Sequence, residues 1–214
     1  MVIKRALSSL FVLALASGTV LAQDAGLKVA HTTHSGPIKA DTSSFSSAKL
    51  IFSNLAPPPA AAYNDTTGYY VLGPTNSVGL SEQWIAVPFI PKNNSHVTTL
   101  QLAVQWISGS NSIQVGLYSD NGGTVGSQLA SVEAAVNSTF GTCCQLVTAS
   151  IPSTAVTRGK QYWIVANSDD TNAPDFTGVF DASATQIIGA NLSVSGWFSF
   201  TTNTPAAAAW GTIP

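Results

Sequence analysis

Apolar and polar residues alternate in two consecutive runs near the middle of the chain. In Leu100–Trp106 every second residue is large and apolar, and the residues between are Gln or Ala; Ile113–Leu117 shows the same alternation. This period of two predicts strands that each bury one face. Residues 108–111, Ser-Gly-Ser-Asn, are a short polar loop between the runs. The sequence therefore predicts that the two strands pair as a β-hairpin.

Short apolar runs bounded by Gly, Pro, Asn and Ser continue along the rest of the chain, with turn signals about every 8–12 residues. Gln161–Asn167 is apolar on both faces, which predicts a central strand, whereas Pro88 predicts a sheet edge or a bulge. The sequence predicts an all-β fold, a single antiparallel β-sandwich of jelly-roll type with about ten to twelve strands. The other predicted strands are Lys49–Asn54, Tyr69–Leu72, Gln83–Ile90, Gln128–Val136, Gln145–Ile151, Phe176–Phe180, Gln186–Ile188, Gly196–Phe200 and Ala207–Gly211.

The N-terminus has the pattern of a secretory signal peptide. Lys4 and Arg5 precede an apolar segment, and Val20-Leu21-Ala22 fits the small-residue rule for cleavage. We therefore expect residues 1–22 to be removed before Gln23, residues 23–47 to form a Ser/Thr-rich leader, and residues 48–214 to form the sandwich domain. An uncleaved membrane anchor is the alternative, but the apolar segment is short and contains serines.

The composition supports an exported protein. Only 8% of the residues are charged, against about 25% in an average soluble protein. With 45% hydrophobic residues the chain does not have the profile of disorder. A formal net charge of −2 and the lack of a basic patch argue against nucleic-acid binding. The predicted location is secreted or periplasmic, with no membrane association after signal cleavage.

Several segments, taken in order, resemble a known family. They are KLIFSNLAPPP, QWIAVPF, TLQLAVQWISGSNSIQVGLYSDNGG, FGTCCQLVT, QYWIVA and AAAAWG, within residues 49–212. This order resembles the choice-of-anchor type R domain of bacterial secreted proteins. The resemblance implies a secreted β-domain without established catalytic residues. The chain departs from the family pattern at residues 63–70, which have no Cys-Cys pair, and it ends without a hydrophobic sorting tail.

Cys143 and Cys144 are the only cysteines and are adjacent. Export favours their oxidation. A disulfide between neighbours closes a strained ring, because the Cα atoms lie about 3.8 Å apart across a trans peptide and disulfides prefer longer separations. Gly141 and Thr142 provide a turn in which such a ring can form. We hypothesise a vicinal disulfide; two free thiols or an interchain bond are the alternatives.

Other candidate sites are weaker. Asp169, Asp170 and Asp175 offer oxygens for Ca²⁺, but their spacing matches no calcium loop and fits ordinary turns. His31 and His34 lie in the leader, where a metal-binding helix is not expected. No cofactor is predicted.

The residue types for catalysis are scarce. His96 is the single histidine beside a predicted strand, Ser occurs in no G-x-S-x-G motif, and Glu82 and Glu133 are the two glutamates. The sequence thus predicts no enzyme.

The aromatic residues suggest the one ligand-binding alternative. Trp197, with Tyr69 and Tyr70, is a candidate platform on which sugar rings stack, although a core role is the simpler interpretation. The expected role is a secreted, non-catalytic structural or interaction module. The alternative is a carbohydrate-binding module, whose partners are extracellular polysaccharides or cell-surface components.

Overall fold

The computed structural model describes residues 27–31, 47–55, 67–76, 81–137, 145–168, 176–192 and 196–214. Within these ranges the chain forms strands, turns and loops and no helix, which confirms the all-β prediction. The strands are β1 (Val29–His31), β2 (Lys49–Ser53), β3 (Thr67–Leu72), β4 (Gln83–Phe89), β5 (Ser95–Ser108), β6 (Ser112–Asp120), β7 (Val125–Ala135), β8 (Gln145–Val156), β9 (Tyr162–Asn167), β10 (Phe176–Leu192), β11 (Trp197–Pro205) and β12 (Ala207–Thr212).

The strands form two antiparallel sheets that pack face to face, as predicted for a β-sandwich. The front sheet has the order β7-β6-β9-β4-β10-β11. The back sheet has the order β8-β5-β12-β2. The last residues of β5 pair with β10, which pairs in turn with β3, and β3 pairs with β1. β10 belongs to both sheets, since its first residues pair with β3 and β5 and its last residues pair with β4 and β11.

The core lies between the sheets and is built by the alternating residues that the sequence identifies. Leu100, Leu102 and Val104 of β5 face Ile113 and Val115 of β6 within one cluster of buried residues. β4, β8, β9 and β12 contribute the same kind of alternating apolar side chain to it. Burying such side chains stabilises the fold by roughly 1.5–3 kcal/mol each.

The predicted hairpin between β5 and β6 is wrong. β5 pairs with β8, β12 and β10, whereas β6 pairs with β7 and β9. The loop after Ser108 therefore crosses from the back sheet to the front sheet, and the apolar faces of the two strands meet across the core. Gly109 has φ of 82°, and its carbonyl accepts a hydrogen bond from the Trp106 indole.

β9 and β4 agree with their predicted environments. All six residues of β9 are buried, because the strand lies between β4 and β6. Pro88 pairs with Trp163 of β9 but lies beyond the residues at which β4 pairs with β10. The proline thus occupies a position where the sheet is open on one side, as its missing N–H requires.

Part of the predicted leader belongs to the sandwich. β1 pairs with β3, and Leu27 packs against the core. The buried Gln83 side chain holds this segment: its Oε1 accepts from the Lys28 N–H (2.8 Å), and its Nε2 donates to the carbonyls of Lys28 (3.0 Å) and Tyr70 (2.9 Å). The sandwich therefore includes residues before the predicted boundary at residue 48.

Candidate functional site

The outer face of the front sheet carries a second, smaller apolar cluster. Ala86, Tyr118, Trp163 and Val165 lie on it, and Val125 at the start of β7 covers them. Trp163 is completely buried there. A Cβ at Gly189 would lie 3.0 Å from Val125 and 3.3 Å from Trp163, so the glycine leaves the space that these side chains fill.

Asp120 fixes the turn that closes this cluster. Its Oδ1 accepts hydrogen bonds from the Trp163 indole (2.9 Å) and the Gln161 amide (2.7 Å), and its Oδ2 accepts one from the Gly123 N–H (3.0 Å). Desolvation alone would raise the pKa of Asp120, but these hydrogen bonds together outweigh it and lower the pKa below 3.8. The carboxylate has an architectural role, since it joins the β6–β7 turn to β9.

A pair of tryptophans borders this cluster on the same face. Trp84 and Trp197 form an edge-to-face contact with centroids 6.2 Å apart and planes at 65°. Trp84 and Trp197 pair with Asn191 of β10 from its two sides, so all three residues share one face of the sheet. That face is the outer one, because Trp197 packs against the outer apolar cluster.

Two polar atoms on this face, the Trp84 Nε1 and the Asn167 Oδ1, are buried and have no hydrogen-bond partner among the described residues. The Asn167 Nδ2 donates to Gln114 Oε1 at 2.9 Å, so only the oxygen of that amide is unpaired. An unpaired buried polar atom costs about 1–3 kcal/mol of stability, so these two atoms are candidates for hydrogen bonds to a ligand.

Glu82 adds a carboxyl group next to this pair. Burial raises its pKa above 4.5, and the adjacent Trp84 indole offsets part of the rise. The contact with the indole does not reach hydrogen-bond geometry, since Trp84 Nε1 remains without a partner. We refer to Glu82, Trp84, Asn167 and Trp197 as the tryptophan end.

The platform predicted from Trp197, Tyr69 and Tyr70 does not form. Tyr69 is only 2% exposed and lies in the core, where its hydroxyl bonds to Thr202 Oγ1 (2.7 Å) and the Asn203 carbonyl (3.0 Å). Tyr70 is half-buried and pairs with Gly178, near the beginning of β10, whereas Trp197 pairs with Asn191, near its end. Trp197 is half-buried, and its aromatic partner is Trp84, which the sequence did not single out.

Several predicted features lie outside the described residues. These are the signal peptide, His34, the Cys143–Cys144 pair, and the calcium candidates Asp169, Asp170 and Asp175. Within the described ranges, His, Cys, Asp and Glu form no group of three or more that could hold a metal ion. His96 is exposed on β5, at positions paired with β12 and β8.

A shallow groove of about 480 Å³ lies beside the Asp120 turn. Two of its polar residues make hydrogen bonds within the fold: Asp120 accepts the three described above, and the Tyr162 hydroxyl accepts one from the Thr157 N–H at 3.0 Å. The lining residues are Ser119, Asp120, Leu129, Ala155, Lys160, Gln161 and Tyr162.

Two comparisons with known proteins do not assign this chain to a family. A scan against models of protein families finds no match, and a search of curated proteins finds no similar chain. The part of the chain that the structure describes contains no helix of the length and apolarity needed to cross a membrane.

Proposed function

We propose that this protein is a secreted, non-catalytic β-sandwich module that acts through interaction at the cell surface or in the extracellular medium. The N-terminal signal pattern and the low content of charged residues support export. The resemblance to the choice-of-anchor type R domain supports the same role.

The observation that carries the proposal is the use of polar side chains for architecture. Gln83 holds β1, and Asp120 holds the β6–β7 turn. Asn54 follows β2 and connects it to the β11–β12 junction, since its Nδ2 donates to the Pro205 carbonyl (2.8 Å) and its Oδ1 accepts from the Ala207 N–H (2.7 Å). Amides and carboxylates engaged in this way fix strands and turns rather than transfer protons.

Expression of the whole chain in a bacterial host tests this proposal. We expect a processed protein that begins at Gln23, is recovered outside the cytoplasm, and sediments with envelope or extracellular material. It should leave ester, peptide and glycoside substrates unchanged, and His96→Ala should behave as the wild type. Retention in the cytoplasm, or substrate turnover that His96→Ala abolishes, would contradict the proposal.

A carbohydrate-binding module is the second candidate. The observation in its favour is the Trp84–Trp197 contact on the outer face of the front sheet, beside unpaired polar atoms. Aromatic rings pack against the C–H faces of sugars, while amides and carboxyl groups bond to hydroxyls. A rigid sheet is a suitable support for such groups.

A further inference from the structure

We propose that the tryptophan end is a binding site for a neutral glycan chain. This assignment rests on the carbohydrate-binding candidate above and gives it a location and a ligand class. The site lies on the outer face of the front sheet, next to the outer apolar cluster against which Trp197 packs.

The strand register brings these residues together. Glu82 directly precedes β4, Trp84 is the second residue of β4, Asn167 is the last residue of β9, and Trp197 is the first residue of β11. β4 is antiparallel to both β9 and β10, and β10 is antiparallel to β11, so these strand ends meet at one edge of the sheet. Trp84 occupies the position that follows the Ile85–Ala166 pair, next to Asn167 on β9.

The unpaired atoms match what a sugar offers. The Trp84 N–H is a donor and the Asn167 Oδ1 is an acceptor. A sugar hydroxyl also donates and accepts, so neighbouring hydroxyls can satisfy a donor and an acceptor at the same time. Because both atoms are buried, a ligand reaches them only after a local rearrangement at this end of the sheet.

The charge of the site favours a neutral ligand. None of the four residues of the tryptophan end is cationic, and Glu82 contributes a carboxyl group that would repel an anionic ligand. An uncharged ligand with many hydroxyl groups avoids this repulsion and can bond to the carboxyl oxygens. The half-buried ring of Trp197 supplies the apolar surface on which a pyranose ring can pack.

Affinity electrophoresis of the processed chain in gels that contain soluble polysaccharides tests the assignment. The probes are four neutral polymers (a β-glucan, a xylan, a galactomannan and an α-glucan) and one anionic polymer, alginate. The variants are Trp197→Ala, Trp84→Phe and the matched control Phe198→Ala, each checked for its unfolding midpoint. Phe198 is adjacent to Trp197 and 38% exposed, but it pairs with Ala190 and its side chain is on the other face.

We expect retardation by at least one neutral polymer and none by alginate. Trp197→Ala should weaken binding about tenfold or more, because an aromatic contact surface is lost. Trp84→Phe keeps a ring and removes the N–H, which should weaken binding roughly 3- to 10-fold, the value of one hydrogen bond. Phe198→Ala should bind as the wild type.

The outcomes that would contradict the proposal distinguish the location of the site from the class of its ligand. Neutral-glycan binding that Trp197→Ala and Trp84→Phe leave unchanged, or that Phe198→Ala reduces equally, overturns the site and keeps the carbohydrate-binding function. Retardation by alginate alone overturns the ligand class. Failure to bind any polymer overturns both the site and the carbohydrate-binding function. Export and the lack of catalysis are tested separately, by the expression experiment described under the proposed function.

Discussion

The buried amide of Gln83 provides a direct way to measure what holds the N-terminal strand in the sandwich. Gln83 is fully buried and makes three hydrogen bonds to the backbone of Lys28 and Tyr70, at 2.8, 3.0 and 2.9 Å. Leu has nearly the same volume, so Gln83→Leu removes the hydrogen bonds and leaves little cavity. At about 1 kcal/mol for each bond, the substitution should lower the free energy of unfolding by about 3 kcal/mol.

Two measurements check this value. Urea unfolding gives the change in the free energy of unfolding, and hydrogen exchange reports the docking of β1 through the Tyr70 amide, which donates to the Lys28 carbonyl at 3.1 Å. We expect Gln83→Leu to decrease both stability and the protection of this amide.

The control is a Gln→Leu change at an exposed strand position. Gln128 is exposed, and its one described hydrogen bond, from the Tyr118 hydroxyl at 2.7 Å, can be replaced by water. Gln128→Leu should change stability by no more than about 0.5 kcal/mol. If Gln83→Leu is equally harmless and Tyr70 stays protected, Gln83 does not hold β1 and the described packing of the N-terminal strand is wrong.

Three further predictions concern pH, backbone clearance and redox state. Because the folded state lowers the pKa of Asp120, its carboxylate stabilises the fold above about pH 4, and this stabilisation is lost as the pH falls through the folded pKa. The difference in the free energy of unfolding between the wild type and Asp120→Asn should therefore decrease on acidification. A difference that does not change with pH would contradict this prediction. Gly211→Ala places a Cβ 1.8 Å from the His96 carbonyl oxygen, so it should prevent folding or lower the free energy of unfolding by more than about 3 kcal/mol. Gly123→Ala lies in open space at φ of 88° and should lower the free energy of unfolding by only about 1 kcal/mol. Equal unfolding midpoints for the two variants would contradict the described clearance at Gly211. If Cys143 and Cys144 form the disulfide hypothesised from the sequence, the unreduced monomer is lighter than the reduced one by two hydrogen atoms; an intact mass that shows free thiols or a linked dimer would exclude it.

The sequence predicts the strands well because alternation records which face is buried. It predicts which strands are neighbours less well. Leu100–Trp106 and Ile113–Leu117 bury the same residues whether the strands pair side by side or face each other across the core, so the pattern is equally compatible with both. The choice depends on long-range partners, above all β12, which pairs with β5 in the position expected for β6.

The candidate site shows a similar limit. Tyr69 and Tyr70 are consecutive, so a strand points them to opposite faces, and the sequence does not show which face is inward. Trp84 and Trp197 are more than a hundred residues apart in the sequence. They meet because both pair with Asn191 of β10, one from each side of that strand. A Trp in an apolar run is usually assigned to the core. Only the structure shows that the indole N–H of Trp84 has no hydrogen-bond partner among the described residues.

The central claim, that the outer face of the front sheet binds a glycan at the tryptophan end, is tested most directly by NMR titration. The five tryptophans give five indole N–H resonances, which are followed as an oligosaccharide from the retarding polymer is added to the labelled, processed chain. We expect the Trp84 and Trp197 indoles and the Asn167 amide to shift together with the ligand concentration. Shifts confined to Trp163 and the groove beside Asp120, or none at saturating ligand, would contradict the claim.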